Sequence, residues 1–354
     1  MIKNKTNPPT KKMRFLVVVF FYLWYYISMK KKTGTENALS EGQKIVKGLT
    51  GQVGVDKETL ISSIHRLRKN GAPMGDVALL GLALYKILIE NGLNESDVVN
   101  PDRLLSKVDA FVYEGKFEKA LEILEVLDAL ELYEAPANLE DKVYYVATVI
   151  EADIIFHEEF KTKKEEAYIL SRRPHYLNLK TDIYMQMGRK QDAERTIAET
   201  LELNPCNFDA LLLKARLLKD KSLEKFKKAI FDTYETIYTK QQMIAFYFNL
   251  AEYYEKKKDF YGAYLTLLQI RQYEDESLIS ADLARLETEM NKTALSRFVK
   301  PTKDEIKTFC QNEKIPTTLP DKNLIILAVR YKDDNLDADE KVVVKKIVNE
   351  LLKK

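Results

Sequence analysis

The fold is decided by residues 246–270, which read FYFNLAEYYEKKKDFYGAYLTLLQI. Apolar side chains recur there at helical spacing: Tyr247, Leu250 and Tyr254 precede the lysine-rich turn, and Ala263 follows it. This spacing places them on one stripe of each of two amphipathic helices. A small residue such as alanine at a helix crossing lets the two backbones approach closely. The stretch therefore predicts a pair of helices with a buried interface.

The same turn-and-alanine pattern recurs along the chain. An alanine follows the first turn residue by five positions in Gly115–Ala120, Gly188–Ala193 and Lys258–Ala263, and Ala229 lies between the last two. The intervals between successive alanines are 73, 36 and 34 residues, so the first is about twice the others. Repeats of this length indicate stacked helix pairs, because no single pair can bury its apolar face alone.

These residues resemble the tetratricopeptide repeat, a helix-turn-helix unit of about 34 residues. The match is clearest at 176–205, which ends in Asn204-Pro205, and at 244–275; it is looser at 102–132, and 209–237 needs a two-residue shift. The resemblance covers residues 100–290. It implies an all-α fold, a right-handed α-solenoid of antiparallel helix pairs.

The regions outside the repeats are predicted to be mostly helical. From the amino terminus they comprise a basic and apolar leader at 1–32, a polar linker with at most a short helix at 33–55, a helical hairpin at 56–99 and a helical cap at 291–354. The hairpin helices are expected at 56–69 and 76–90, because Asn70-Gly-Ala-Pro73 is a stop signal followed by a new start. Residues 139–160 and 163–171 are assigned to a poorly matched repeat unit in the long interval.

The cap contains three expected helices. The first begins at the capping box Thr302–Glu305 and runs to about Glu313. The second, at 321–331, holds the apolar run Leu324–Val329, which fits either a strand or a buried helix; helix is chosen because no second strand is in view to pair with it. The third, at 339–351, would pack over it through Val343, Ile347 and Leu351.

Charge is divided unevenly along the chain. Residues 1–32 hold eight basic side chains and no acidic one, which leaves 48 basic against 54 acidic residues in the remainder. A mildly acidic body lacks the clustered positive surface that nucleic-acid binding requires. The two cysteines, Cys206 and Cys310, are far apart in sequence and suggest neither a disulfide framework nor a zinc site. We therefore expect a reduced, cytoplasmic body that binds no nucleic acid.

The leader contains fifteen uncharged residues, Phe15 to Met29, with basic residues on both sides. Two interpretations remain open. As a helix the segment would be about 22 Å long, a short membrane tether that requires thinning of the bilayer or snorkelling of its lysines. Alternatively, Met29 begins the working protein and the preceding segment is an over-extended reading frame.

The sequence offers no set of residues for catalysis, a cofactor or a metal. The histidines His65, His157 and His175 have no metal-ligand spacing; in particular, Lys161 stands where a zinc-protease helix would carry its second histidine. The glycines of 48–54 lack the lysine and hydroxyl residue of a phosphate-binding loop, so they predict a loop. We expect no enzyme activity, no cofactor and no small-molecule substrate.

The resemblance also implies which side chains line the concave groove, where such arrays hold an extended peptide or a partner helix. By position these partner-binding residues are His175, Asn178, Asp182, Arg216, Lys219, Phe248, Asn249, Glu252 and Lys256. An amide at Asn249 is suited to pairing with the main-chain groups of a ligand. The alternative is that Asn249 only follows the common repeat pattern and that the charges form a solvated face.

Three classes of function follow, and the leading one is a non-catalytic scaffold or adaptor that binds a protein or peptide ligand. The second is a peptide-sensing regulator, which predicts a DNA-binding helix-turn-helix near 56–91; no convincing recognition helix is visible there. The third is an enzyme or an accessory subunit of one, which would require a closed polar pocket with convergent carboxylates.

Overall fold

The computed structural model describes residues 40–91, 100–134, 143–159, 167–293 and 298–352. Within these ranges the chain is mostly helical, with 16 α-helices and two short strands, which confirms the helical character predicted from the sequence. The elements in chain order are α1 (Glu41–Lys47), α2 (Val53–Lys69), α3 (Met74–Glu90), α4 (Pro101–Tyr113), α5 (Phe117–Glu134), β1 (Val143–Val146), α6 (Val149–Glu159), β2 (Ala167–Leu170), α7 (Arg173–Gln186), α8 (Lys190–Leu203), α9 (Phe208–Leu218), α10 (Leu223–Thr233), α11 (Lys240–Lys256), α12 (Phe260–Leu267), α13 (Ser280–Thr293), α14 (Lys303–Glu313), α15 (Asp321–Tyr331) and α16 (Ala338–Leu352). Short 3-10 turns lie at Tyr234–Thr236, Leu268–Gln272 and Glu276–Leu278.

The chain divides into two compact units. The first comprises Met1–Glu140 and His175–Arg189, and the second comprises Asp141–Pro174 and Lys190–Lys354. The division falls inside the range assigned from sequence to one repeat array. Among the described helices, none combines the length and apolar character that crossing a membrane requires. The segment Phe15–Met29 lies outside the described residues.

In the first unit, α2 packs on α3, and α5 packs on both α3 and α4. The glycine-rich stretch before α2 is a loop, as expected from its sequence. A side chain of α2 holds this loop in place. The carboxylate of Asp56 accepts the backbone N–H groups of Thr50 and Gly51, both at 2.7 Å. A buried ion pair lies deeper in this unit, where Lys180 Nζ is 3.6 Å from Asp128 Oδ2.

The second unit opens with a β-α-β element where two further helices had been assigned. Strand β1 pairs in parallel with β2, and α6 connects them, so the prediction of helix is confirmed at 149–159 but wrong at 143–146 and 167–170. Both strands are only four residues long and rich in β-branched and aromatic side chains, which favours strand over helix. Helices α6 and α8 pack on β1.

One continuous apolar core runs through helices α9 to α14 of the second unit. Ala263 is fully buried in it, as expected for the small residue of a helix pair. Tyrosine hydroxyls then hold the segment after α14 by its main chain. Tyr247, Tyr273 and Tyr234 donate to the carbonyl oxygens of residues 316, 317 and 318 at 2.8, 2.9 and 2.9 Å. These three bonds fasten the extended segment to the helices.

The carboxyl-terminal helices form as predicted, but their packing faces differ from the prediction. The capping box at Thr302 is present, with Glu305 N–H donating to Thr302 Oγ1 at 3.2 Å. In α15 the apolar run is helical, yet Ile325 is 63% exposed and Val329 is 61% exposed. Helix α16 packs on α15 and buries Ile347, as predicted, but Val343 is exposed and Val344 is buried in its place. The apolar run therefore does not form the buried helix that its composition suggested.

Candidate functional site

The residues assigned to partner binding fall on both units. His175, Asn178 and Asp182 belong to the first, and the other six belong to the second. In the second unit, five of the six lie where α9 and α11 meet. We call the set Arg216, Lys219, Asp220, Asn249, Glu252 and Lys256 the α9/α11 face.

Local sequence positions both helices of this face. Helix α9 begins at an N-cap, because Asn207 Oδ1 accepts the N–H of Ala210 at 2.9 Å. Helix α11 begins at a capping box in which Thr239 and Gln242 bond reciprocally. Residues 249, 252 and 256 of α11 are three and four positions apart, so they share one side of the helix. The tyrosines Tyr247 and Tyr254 occupy the opposite, buried side of α11.

Three polar contacts join the two helices across the face. Arg216 Nε donates to Asn249 Oδ1 at 2.9 Å, and Lys219 Nζ donates to Glu252 Oε1 at 2.7 Å. At the end of the row, Lys256 Nζ donates to Asp220 Oδ1 at 3.1 Å. The first two contacts each link residues 33 positions apart in sequence, and the third links residues 36 apart.

Burial decreases along this row of contacts. Asn249 is only 2% exposed, and its Nδ2 also donates to the carbonyl oxygen of Ala245 at 2.8 Å. The side chains of Lys256 and Asp220, at the other end, are 42% and 64% exposed. The hydrogen bond from Lys256 lowers the pKa of the Asp220 carboxyl. The accessible part of the face is therefore a set of paired charges of both signs, and the Asn249 amide oxygen already holds Arg216.

The remaining candidate of the second unit, Phe248, is partly buried, and its ring packs against the apolar core. In the first unit, the candidates on α7 differ in exposure. His175 is exposed, Asn178 is buried and Asp182 Oδ2 accepts a 2.7 Å hydrogen bond from Gln186 Nε2. Their role in partner binding stays a prediction.

A buried polar cluster surrounds Glu151 in the second unit, and it is not among the sites predicted from the sequence. Glu151 Oε2 accepts from Ala147 N–H at 2.8 Å and Asn204 Nδ2 at 2.9 Å, while Oε1 accepts from Tyr238 Oη at 3.0 Å. Burial raises the pKa of the Glu151 carboxyl, and the three hydrogen bonds oppose that shift. Because three donors from separate parts of the chain converge on one carboxylate, the cluster fastens α6 to the residues before α9 and α11. Asn204, at the end of the repeat match, was the one signal in the sequence.

The described residues were also compared with the requirements of a nucleophilic thiol at Cys310 and of a metal-ligand cluster. Burial raises the pKa of the Cys310 thiol to about 11, which disfavours the thiolate form that a nucleophile needs. Within the described ranges, His, Cys, Asp and Glu side chains form no group of three suited to a metal ion.

Comparison with known proteins adds no relative to this picture. No protein-family model matches the chain, and it matches no curated protein and no solved structure. Any function must therefore be argued from the residues and contacts of the chain itself.

Proposed function

We propose that this protein is a non-catalytic interaction scaffold, an array of tetratricopeptide-type helix pairs whose α9/α11 face binds a peptide or helix of a partner protein. The single observation that carries the proposal is the 33-residue offset that the contacts Arg216–Asn249 and Lys219–Glu252 share. In an array of repeats of about 34 residues, equivalent positions of successive units lie side by side. Such an offset is the pattern that a repeat array produces along its binding side.

The chemistry of the face favours a polar protein segment as the ligand. The side chains of Lys219 and Glu252 are 26% and 38% exposed, and those of Lys256 and Asp220 are more exposed still. Paired charges of both signs neutralise each other at a distance and act mainly on groups at close range. A peptide main chain, or a helix with its own acidic and basic side chains, offers such groups.

The proposal can be tested by removing the two lysines of the face, because each belongs to a partly solvent-exposed ion pair and such pairs contribute little to stability. We expect the double variant Lys219→Ala, Lys256→Ala to keep its helical spectrum and melting temperature. The proteins captured by crosslinking in the native cells are compared for the two chains. The double variant should recover the proteins that the wild-type chain enriches, but in about one-tenth of the wild-type yield. The yield of each protein is measured by quantitative mass spectrometry.

A matched variant controls for the loss of surface charge. Lys292→Ala on α13 removes a lysine whose side chain is 63% exposed and paired with Glu289. It should capture the same proteins in wild-type yield. Equal yields from the double variant and from the control would refute binding at the α9/α11 face.

A further inference from the structure

The outward side of helix α15 is apolar. Ile325 and Val329 are 63% and 61% exposed, and Leu324 and Ala328 are exposed beside them. Residues three and four positions apart lie on one side of a helix, so these four form a continuous stripe. We call Leu324, Ile325, Ala328 and Val329 the α15 stripe. A contiguous exposed apolar patch of this kind marks an interaction surface.

Packing within the chain turns the stripe outward. Helices α6 and α16 pack on α15. The buried residues Asn323 and Leu327 each lie about 160° around the helix axis from Ile325, one on either side of the opposite face. Asn323 Nδ2 fixes that orientation, because it donates to the carbonyl oxygens of residues 235 and 237 at 3.0 and 2.8 Å. The stripe is therefore held where a surface outside the chain can reach it.

The stripe ends in opposite charges. Asp321, which is exposed, precedes Ile325 by four positions, and Lys332, which is also exposed, follows it by seven. Lys332 is the C-cap residue, and its backbone is still in the right-handed helical region. All three side chains therefore lie on the side of α15 that carries the stripe. This side is acidic at its amino end, apolar in the middle and basic at its carboxyl end.

The other two charged side chains of α15 are engaged by partners in their own chain. Lys322 Nζ lies 2.9 Å from Glu235 Oε2. Arg330 Nε donates to Asp153 Oδ2 at 2.6 Å. The charges that α15 presents outward are thus one carboxylate and one ammonium group, at opposite ends of the stripe.

This pattern is complementary to itself when two copies of α15 lie antiparallel. A two-fold axis at the middle of the stripe places Asp321 of one copy opposite Lys332 of the other, and it does so at both ends. The same register places Ile325 opposite Ala328, and a large side chain opposite a small one allows close packing. A parallel pair would instead set like charges against each other at each end, which is unfavourable.

We propose that the α15 stripe binds a second copy of this chain, so that two α15 helices form an antiparallel pair about a two-fold axis. The occupant follows from the self-complementary order of charge and apolar surface. Helix α15 has 11 residues and is about 16 Å long, so the interface is small and the dimer is a weak one, with a dissociation constant of roughly 10–100 µM. The surface is separate from the α9/α11 face and requires none of its residues.

Sedimentation equilibrium of the full chain, measured from about 1 to about 500 µM, tests the proposal. The average mass of wild type should rise toward twice that of one chain over this range. Ile325→Ser should raise the dissociation constant at least about tenfold and leave the melting temperature unchanged, because the residue is exposed. A wild-type chain that stays monomeric throughout would overturn the proposal and leave the stripe to a different protein. Equal self-association of Ile325→Ser and wild type would place the contact elsewhere on the chain and overturn it as well.

Charge reversal distinguishes the antiparallel pair from any other mode of association. Asp321→Lys and Lys332→Asp each oppose like charges at both ends, so each alone should weaken the dimer about tenfold. An equimolar mixture of the two variants restores both pairs of opposite charge, and so does the double variant Asp321→Lys, Lys332→Asp. Both should dimerise about as strongly as wild type.

Lys228→Asp on α10 is the matched control, because Lys228 is exposed and lies outside the stripe. It should dimerise as wild type does. Undiminished dimerisation of the two single variants, or no recovery in their mixture, contradicts the antiparallel pair. Circular dichroism checks that each variant folds, and if a reversal variant does not, the comparison of Ile325→Ser with wild type decides.

Discussion

Arg216 and Asn249 lie 33 residues apart in sequence, and a 2.9 Å hydrogen bond from Nε to Oδ1 joins them across two helices. Asn249 is 2% exposed, so water does not readily replace its partner. Both residues were predicted to bind a ligand, yet in the structure they bind each other. The bond aligns the two helices that carry the more exposed pairs of the face.

Breaking this bond should destabilise the protein. Arg216→Ala leaves the buried oxygen of Asn249 without that donor, so we expect a loss of about 1–3 kcal/mol in the free energy of unfolding. A double-mutant cycle with Asn249→Ala, measured by urea denaturation, should give a coupling energy of about 1 kcal/mol. Lys256→Ala, which removes only an exposed pair, should leave the midpoint unchanged. Strictly additive losses for Arg216 and Asn249 would show that the bond does not form in solution.

The buried position of Ala263 predicts a larger effect. Ala263→Glu forces a carboxylate into a site with no exposed surface, so unfolding should become easier by more than about 3 kcal/mol. Ala284→Glu is the matched control on α13, because Ala284 is exposed and should tolerate the change within about 0.5 kcal/mol. Thermal denaturation followed by circular dichroism compares the two. Similar melting temperatures would exclude Ala263 from the core.

The helical framework was largely predictable, because the deciding signals were local. Residues 56–69 and 76–90 are separated by a stop signal, and the structure has helices at Val53–Lys69 and Met74–Glu90. The apolar run of α15 is also helical, within the predicted bounds. The capping box at Thr302 requires only a glutamate three residues later. That residue, Glu305, is visible in the sequence.

The strands were missed because their pairing is not local. Strand β1 is only four residues long, and its partner begins more than 20 residues later, beyond α6. Neither run shows its partner in the sequence, since parallel pairing needs a long crossover. The exposure of Val343 was missed for a related reason. Which side of α16 is buried depends on where α15 lies against it, and helical spacing alone does not determine that.

The candidate site was predicted only in part. Position in the predicted repeat pointed to Arg216, Lys219, Asn249 and Glu252, and the structure joins them in two contacts. It did not identify Asp220, because the resemblance assigns that residue no position in the groove. Pairing between side chains depends on the separation of two helices, which the sequence pattern does not give.

Glu151 provides a test of the buried polar cluster. Glu151→Ala removes the acceptor for three donors, so we expect a loss of about 3 kcal/mol or more. Glu151→Gln retains an oxygen for the donors of Ala147 and Asn204 and removes the buried charge, so its loss should be much smaller. Chemical denaturation at neutral pH compares the variants. Equal losses for alanine and glutamine would mean that the hydrogen bonds contribute nothing.

The raised pKa of Glu151 also predicts how the free energy of unfolding changes with pH. Burial raises the pKa of Glu151 in the folded state, so between its unfolded and folded pKa values the folded chain binds more protons than the unfolded chain. Wild type should therefore lose stability relative to Glu151→Gln as pH rises through that window. The denaturation midpoints of wild type and Glu151→Gln are measured from about pH 4 upward in steps of about one pH unit, and the difference between them is followed with pH. A difference that is constant with pH would contradict the raised pKa.

The hydrogen bonds from tyrosine hydroxyls to the segment after α14 should contribute unequally to stability. Tyr247→Phe removes a donor to the Pro316 carbonyl at a fully buried residue, and we expect a loss of about 1 kcal/mol. Tyr273→Phe removes an exposed bond to the Thr317 carbonyl, which water can replace, and should cost less. Urea denaturation of both variants measures the difference. A larger loss of stability for Tyr273→Phe than for Tyr247→Phe would contradict this ranking of the two hydrogen bonds.

Crosslinking from a defined position tests the central claim, partner binding at the α9/α11 face, most directly. A photoreactive amino acid replaces Lys256, the most exposed lysine of the face, or Lys225, an exposed lysine on α10, in the native cells. We predict a specific adduct with one protein or a small set of proteins from position 256, with little of that adduct from position 225. Absence of an adduct from 256, or the same adducts in equal yield from both positions, would contradict the claim.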